Sequence, residues 1–376
     1  MRKFLIFFVA LLALTALLSY GAWTTHRPVG HYLSDLRIQV ALDEGVPADR
    51  GNLLGIEPEL FPGDYQSLAR LHRKLAAYFE QARASGLLNA KTIVVLPEHV
   101  GTWLWARGEK DELYRADRRE EAMHWLALSN PLKFVRALLG AKGENRVEDA
   151  RLRMKAQRMA EDYQELFGGL AREFGVTLVA GSIVLPEPYL EDGTLRIGSG
   201  ALYNSSLVFG SDGKPMAQPQ RQRYPGKRER HYIHGSSEPL LQVVDTPAGR
   251  LGVLIGRDSW YPANYSQLNA QAVQLIAVPA FVSGKGHWTR PWPGYATRTP
   301  PAESHLQPGE VSEGEAWQRL TLTGQPPVST AVAGMSVFMR GQFWDQANEG
   351  QSFGTRHGLT RSGLNRHGAR LINLWL

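Results

Sequence analysis

The stretch that most constrains this chain is residues 252–281, GVLIGRDSWYPANYSQLNAQAVQLIAVPAF. An apolar run at 251–255 stops at Gly256 and gives way at once to RDSWYP. Tyr265, Leu268 and Ala272 then recur at helical spacing, and a second apolar run, 275–278, closes at Pro279. The pattern is strand, sharp turn, helix, strand. In many α/β enzymes the nucleophile sits at such a strand-to-turn junction, where the backbone presents one side chain to a pocket. Here the junction residue is Gly256, which has no side chain to present.

The stretch resembles the nucleophile region of the nitrilase (carbon–nitrogen hydrolase) superfamily. The family pattern is an apolar strand, then C-x-D-x-x-F/Y-P, a helix, and a strand ending in Pro-Ala. Asp258, Tyr261, Pro262, Pro279 and Ala280 match it. Gly256 stands where the family places its cysteine, and the chain contains no cysteine at all. The resemblance implies a four-layer αββα sandwich of two mixed sheets, often paired as dimers. It also implies a Glu–Lys–Cys triad that hydrolyses amides or nitriles through a covalent intermediate. It covers roughly residues 36–351.

Carried over residue by residue, the triad becomes Glu98, Arg221 and Gly256. Residues 91–97, KTIVVLP, read as a buried strand, with Glu98 just beyond its carboxyl end. That is a good place for a cleft carboxylate, although a solvated loop glutamate fits the position too. The family lysine follows a hairpin turn, here Ser211-Asp212-Gly213, and its counterpart by spacing is Arg221. Arginine keeps the charge but is larger and forked. A slip of a residue or two would make Arg223 or Lys227 the inward cation instead. Glu229 matches a second family glutamate, with Lys227 as the competing occupant, and a plain solvated basic loop also explains this run. Asp258 and Tyr261 are expected to support the turn. Ser259 is the nearest hydroxyl to Gly256.

The first residues place the chain relative to a membrane. Arg2 and Lys3 precede an apolar run that lasts to about Trp23. That is long enough to cross a bilayer, and the basic flank would stay in the cytoplasm. Two readings stand: an inner-membrane anchor with a periplasmic domain, or a signal segment cleaved near Ser19-Tyr20-Gly21. The expected organisation is residues 1–23 as anchor or signal, 24–35 as linker, and 36–376 as one nitrilase-like domain, with insertions at about 109–149 and 285–314.

Composition narrows the partners. The formal charge of +6 suits anionic surfaces but is not concentrated enough to predict nucleic-acid binding. The lack of cysteine removes disulfides, thiolate metal sites and thiol catalysis together. Neither a metal nor a cofactor is expected.

Along the rest of the chain, 36–42 alternates like a first strand, and 46–63 reads as a Gly/Pro-rich loop. Asp64 is placed to cap a helix carrying Leu68, Leu71, Leu75 and Phe79 on one face. The 109–149 segment interleaves leucines and aromatics with Arg and Lys. It is either an ordinary helical insertion packed on the domain or an amphipathic element lying on a membrane surface. Residues 152–174 form a helical core stripe before a strand at 177–184, and 201–209 reads as another strand. The 285–314 loop is rich in Pro, Gly and Trp; Trp288 either lines a ligand site or pins the loop. A helix is expected at 316–322 and a strand at 328–339.

Three functions remain open at this point. One is a membrane-tethered pseudoenzyme kept for binding a small molecule or protein, or for assembly in an envelope pathway. Another is a hydrolase or acyltransferase using other residues, such as Glu98 with water or Ser259. The third is a structural envelope component whose pocket is irrelevant.

Overall fold

The apolar runs of the sequence become two six-stranded mixed sheets facing each other. The computed structural model describes residues 2–27, 30, 32–297, 300–301, 304, 306–322, 329, 331–364 and 367–376. The first sheet runs, in spatial order, β1 (Ile38–Glu44), β18 (Ala369–Trp375), β2 (Asn52–Glu57), β4 (Thr92–Val95), β5 (Thr177–Val179) and β8 (Val208–Phe209). The second runs β10 (Val243–Thr246), β11 (Gly249–Val253), β12 (Leu275–Ala280), β13 (Ala333–Phe338), β16 (Phe353–Arg356) and β17 (Leu359–Ser362). Two small three-stranded sheets complete the frame. One joins β6 (Ile183–Glu191), β7 (Thr194–Ser206) and β9 (Gln220–Arg221). The other joins β15 (Gln346–Ala347), β14 (Arg340–Phe343) and β3 (Glu59–Leu60).

Each large sheet is covered on its outer face. Alternate residues of the two sheets, Leu53, Ile93, Val95 and Val179 against Leu251, Val253, Leu275, Met335 and Val337, make the seam between them. On the outside of the first sheet lie α2 (Leu68–Ala84) and α7 (Ala156–Phe174), which bury Leu71, Leu75, Phe79, Met159, Tyr163 and Phe167. On the second, α8 (Pro262–Ala270) buries Tyr265 and Leu268. Beside it, α9 (Glu313–Leu320) sets Trp317 among Trp260, Trp292 and Phe338. The result is the expected four-layer αββα arrangement.

The 46–63 expectation fails in an instructive way. β2 lies inside this supposed loop, buried along its whole length between β18 and β4. Its glycine is a packing requirement: a Cβ on Gly55 would lie 2.6 Å from Met335 Sδ of the facing sheet. Asp64 does not cap α2 either. Ser67 does, accepting from the Arg70 N–H. Asp64 is buried instead, accepting from the Phe61 N–H (2.9 Å), Ser34 Oγ (2.7 Å) and Lys74 Nζ (2.9 Å). The expected helix at 316–322 is α9, displaced toward the amino end. Of the expected strand at 328–339, Val328 and Thr330 lie outside the described residues.

The amino-terminal run forms α1 (Arg2–Thr25), with no buried residue. Among the described residues it is the one helix long and apolar enough to cross a membrane. The 109–149 insertion is helical: α3 (Asp111–Arg115), α4 (Arg119–Ser129), α5 (Pro131–Gly140) and α6 (Arg146–Arg153). Leu113, Met123, Leu126 and Leu152 join the core, so most of it packs as an ordinary insertion. α5 is different, because Leu132, Val135 and Leu139 remain exposed.

Asp64→Ala should destabilise the chain by about 3–5 kcal/mol in chemical denaturation, because it strands the Lys74 ammonium, whose side chain is 1% exposed, without its partner. A loss under about 1 kcal/mol would show that this pair does not hold the base of α2.

Candidate active site

β4 and β11 lie in facing sheets, and the residues just past their carboxyl ends meet. Glu98 follows β4 through Leu96-Pro97, and Gly256 follows β11 through Leu254-Ile255. Gly256 adopts φ +51°, the left-handed region that glycine enters without penalty. A Cβ built on it would lie 2.6 Å from Glu98 Oε2 and 2.8 Å from Oε1. The space a side chain at 256 would need is therefore filled by the Glu98 carboxyl.

Glu98 is held by amides. Its Oε1 accepts from Asn204 Nδ2 (2.8 Å) and Gln222 Nε2 (3.1 Å), and Gln222 Nε2 also reaches the Ile255 carbonyl (3.2 Å). Arg221 does not face this group. Gln220 and Gln222 point inward and are buried, and strand alternation turns Arg221 to the opposite face. There it pairs with Glu238 (3.2 Å), donates to the Pro188 carbonyl and lies over the Tyr203 ring. The side chain that this segment sets against the carboxylate is the neutral amide of Gln222. Arg223 is also turned away, toward Asn264 Oδ1 (3.0 Å) and the Glu238 carbonyl.

Without a cation against it, Glu98 is raised to about 7, first by burial and further by Glu229, with His99 and Arg257 opposing. A lowered value, as a neighbouring arginine would impose, is not what the geometry produces. His99, beside it in the chain, also has positive φ (63°). Its Nε2 pairs with Glu229 Oε1 (3.0 Å) and its Nδ1 with Thr102 Oγ1 (3.1 Å). Burial works against a charged His99, but the Glu229 hydrogen bond and the fields of Glu98 and Glu229 raise it. Burial likewise opposes ionisation of Glu229, yet His99 holds it down at about 2. One carboxyl is thus poised near neutrality beside a locked ion pair.

The supporting residues are placed as follows. Asp258 is buried and clamps the neighbouring segment, accepting from the N–H groups of Arg223 and Tyr224. Burial raises it to about 7 in spite of those bonds. Ser259 is sequestered: its hydroxyl donates to the Gly256 carbonyl (2.8 Å) and meets Thr321 Oγ1 (2.9 Å). Tyr261 stacks on Tyr224 with ring centroids 3.5 Å apart. Trp288 pins its loop, packing edge-on against Phe338, and does not line the cavity.

In front of Glu98 opens a cavity of about 430 Å³. Glu98, Glu229 and Glu313 line it, together with Lys227, Arg228, Arg257, Arg290 and His287. Arg257 lies over Trp260 and 3.5 Å from Glu313. Sequence reasoning found Glu98, Gly256 and Glu229 but missed His99, Asn204, Gln222 and Arg257. Adjacency to Glu98 and Gly256 is the signal that points to His99 and Arg257. The amides, far apart in sequence, carried none. Among the described residues no cluster of His, Asp or Glu is arranged to hold a metal.

Comparison with known proteins agrees with the fold. The carbon–nitrogen hydrolase family model matches residues 65–304. A deaminated glutathione amidase from Yersinia enterocolitica is 30% identical over 130 residues, which are 32% of this chain and 42% of that protein. Omega-amidase NIT2-B from Xenopus laevis is 32% identical over 143 residues, 35% of this chain and 48% of that one. The matched stretch thus spans less than half the length of these relatives. Among solved structures, an amidase from Nesterenkonia sp. AN1, with acrylamide added to its active-site cysteine, superposes with a TM-score of 0.50 at 12% identity. That superposition covers 87% of this chain and 93% of the amidase.

Two outcomes follow from the geometry. Gly256→Ala should cost about 1–2 kcal/mol from the left-handed backbone alone and push Glu98 off its amides. Unchanged stability would mean that the turn does not require glycine. Between about pH 4.5 and 7 the folded chain holds a proton on Glu98 that the unfolded chain has released, so stability falls as pH rises through that window. Glu98→Gln should therefore match the parent below pH 4.5 and exceed it above pH 7 by up to about 3 kcal/mol. Parallel melting curves for the two proteins from pH 4 to 8 would contradict this.

Proposed function

Because the chain belongs to the carbon–nitrogen hydrolase family, we propose that it is a nitrilase-like pseudoenzyme, tethered to the inner membrane by α1 and kept for ligand binding or assembly in an envelope pathway. Gly256 carries the reading. It occupies the family's cysteine position in a chain without cysteine, and the Glu98 carboxyl stands in the space a side chain there would take. Covalent catalysis needs a nucleophilic atom within reach of a base, and deleting the nucleophile of another triad enzyme costs on the order of 10⁶ in turnover. Ser259 is no substitute while its hydroxyl is committed to Gly256 and Thr321. The tether reading is supported by Arg2 and Lys3 before the apolar run, which orient α1 with the domain outside the cytoplasm.

The cavity is the part that remains useful. Its volume suits a small molecule, and Lys227, Arg228, Arg257 and Arg290 outnumber the acidic groups that face them. A small organic anion is the ligand class this lining favours. A second reading has its own support: a carboxyl held near pH 7 at a cavity wall is tuned for proton transfer, and in this reading Glu98 is the base that activates water.

A panel of amides, nitriles and esters separates the two, and no Glu98-dependent turnover is expected. Hydrolysis abolished by Glu98→Ala would overturn the pseudoenzyme reading. In the same protein, small carboxylates and phosphate monoesters should raise the melting temperature in a dose-dependent way, with Arg290→Ala weakening the effect. Stabilisation by neutral congeners alone would remove the anion assignment.

A further inference from the structure

The exposed apolar face of α5 and the end of α1 belong to one surface. Tyr20 OH donates to the Leu128 carbonyl at the end of α4 (2.5 Å), and Trp23 packs against Trp125 with centroids 6.2 Å apart. Lys110 lies over the Trp23 ring and donates to the carbonyls of Trp23 (2.8 Å) and His26 (2.7 Å). Arg27 donates to the carbonyls of Gly108 and Ser129 and pairs with buried Glu109 (2.8 Å). Glu109 also pairs with Lys155. The chain leaving α1 is therefore clamped to the insertion.

The clamp fixes a level. Tyr20 lies about 7.5 Å along the helix axis before Thr25, at about 1.5 Å per residue. If α1 spans a bilayer, Tyr20 and Trp23 sit in its interfacial zone, where such rings concentrate. Leu128, bonded to Tyr20, is at that same depth. α5 begins three residues later and carries Leu132 (85% exposed), Val135 (56%) and Leu139 (79%) at the spacing of one helix face. Leu128 (53%) extends the face toward α1. Lys133 and Arg136 are exposed on the same helix, the sign that anionic headgroups attract. In water this run of leucines would be an unexplained apolar patch; at the level of Tyr20 it has a solvent.

We propose that α5 lies in the headgroup–acyl boundary of the bilayer that α1 spans, so that two contacts hold the domain in one orientation on the membrane. The inference rests on the reading of α1 as a span. Its test uses the absence of cysteine, which lets single substitutions carry one nitroxide each. Leu132→Cys, Leu139→Cys, Leu12→Cys and Leu359→Cys are introduced into the full chain and reconstituted in phosphatidylcholine–phosphatidylglycerol vesicles. Leu359 is an exposed control on β17. The labels at 132 and 139 should show a ratio of oxygen to nickel-chelate relaxation several-fold above that at 359, approaching that at 12. If 132 and 139 match 359 while 12 reports lipid, the α5 contact is wrong and the anchor stands. A label at 12 that is aqueous, or lost by cleavage, overturns the anchor reading separately. Spin–spin broadening at 132 and 139 that grows with protein density, with both probes excluded, would assign the face to a second copy and overturn the membrane contact.

Discussion

The Glu98 carboxyl lies where a β-carbon on residue 256 would come within 2.6 Å of it, and that close approach organises the site. Glycine at 256 lets the carboxyl keep that place, and it also enters the left-handed backbone there without the cost a side chain would add. With no side chain at the turn, Glu98 occupies the space and is held by the amides of Asn204 and Gln222, the second of which also donates to the Ile255 carbonyl. The buried carboxyl then lacks a direct cation, and its proton affinity rises. The bare turn at 256 and the charge state of Glu98 are thereby linked.

The sandwich makes that encounter unavoidable. β4 and β11 lie in different sheets, and the seam between them is closed by small and branched residues such as Val95, Val253 and Ala277. Both strands end at the same rim, so the residues after them share one opening. Asp258 then ties the 223–224 segment to the turn through two backbone N–H groups, which holds Gln222 in register over Glu98. Moving the register by one residue would bring Arg221 inward in place of Gln222 and convert a neutral contact into a charged one.

Much of the fold was legible because its signals are local. The junction at 251–256, the strand before Glu98 and the helical stripe from Met159 to Phe174 each announce themselves within a dozen residues. β2 was not legible, because Gly51, Gly55 and Pro58 mimic a loop, and the need for Gly55 arises only from Met335 on the other sheet. The site split in the same way. Glu98 and Gly256 follow strand ends and were found by position. Arg221 was misplaced because spacing counts residues, whereas the face a residue occupies depends on pairing with Ser205 and Ser206. Asn204 and Gln222 carry no charge and stand in no motif, so nothing in the sequence marked them.

The insertion connects the end of α1 with the wall of the cavity. At its amino end, Lys110 and Glu109 hold the chain leaving α1. At its carboxyl end, the Asn145 N–H donates to the His231 carbonyl (2.8 Å), and Glu144 pairs with the His231 ring (2.9 Å). Residues 229–231 form the short helical turn that begins with Glu229, the partner of His99 beside Glu98. A continuous packed path therefore runs from the end of α1, through α4–α6, to the cavity wall. Contiguity alone is not coupling, since coupling needs an element with two arrangements that both ends bias. What it does establish is that the insertion is bonded to the 229–231 turn and to the small sheets alike, the latter through Arg153 to the Gly200 carbonyl of β7 and through Trp344, between β14 and β15, to the Leu113 carbonyl. The described path therefore joins the residues that follow α1 to the wall that carries Glu229.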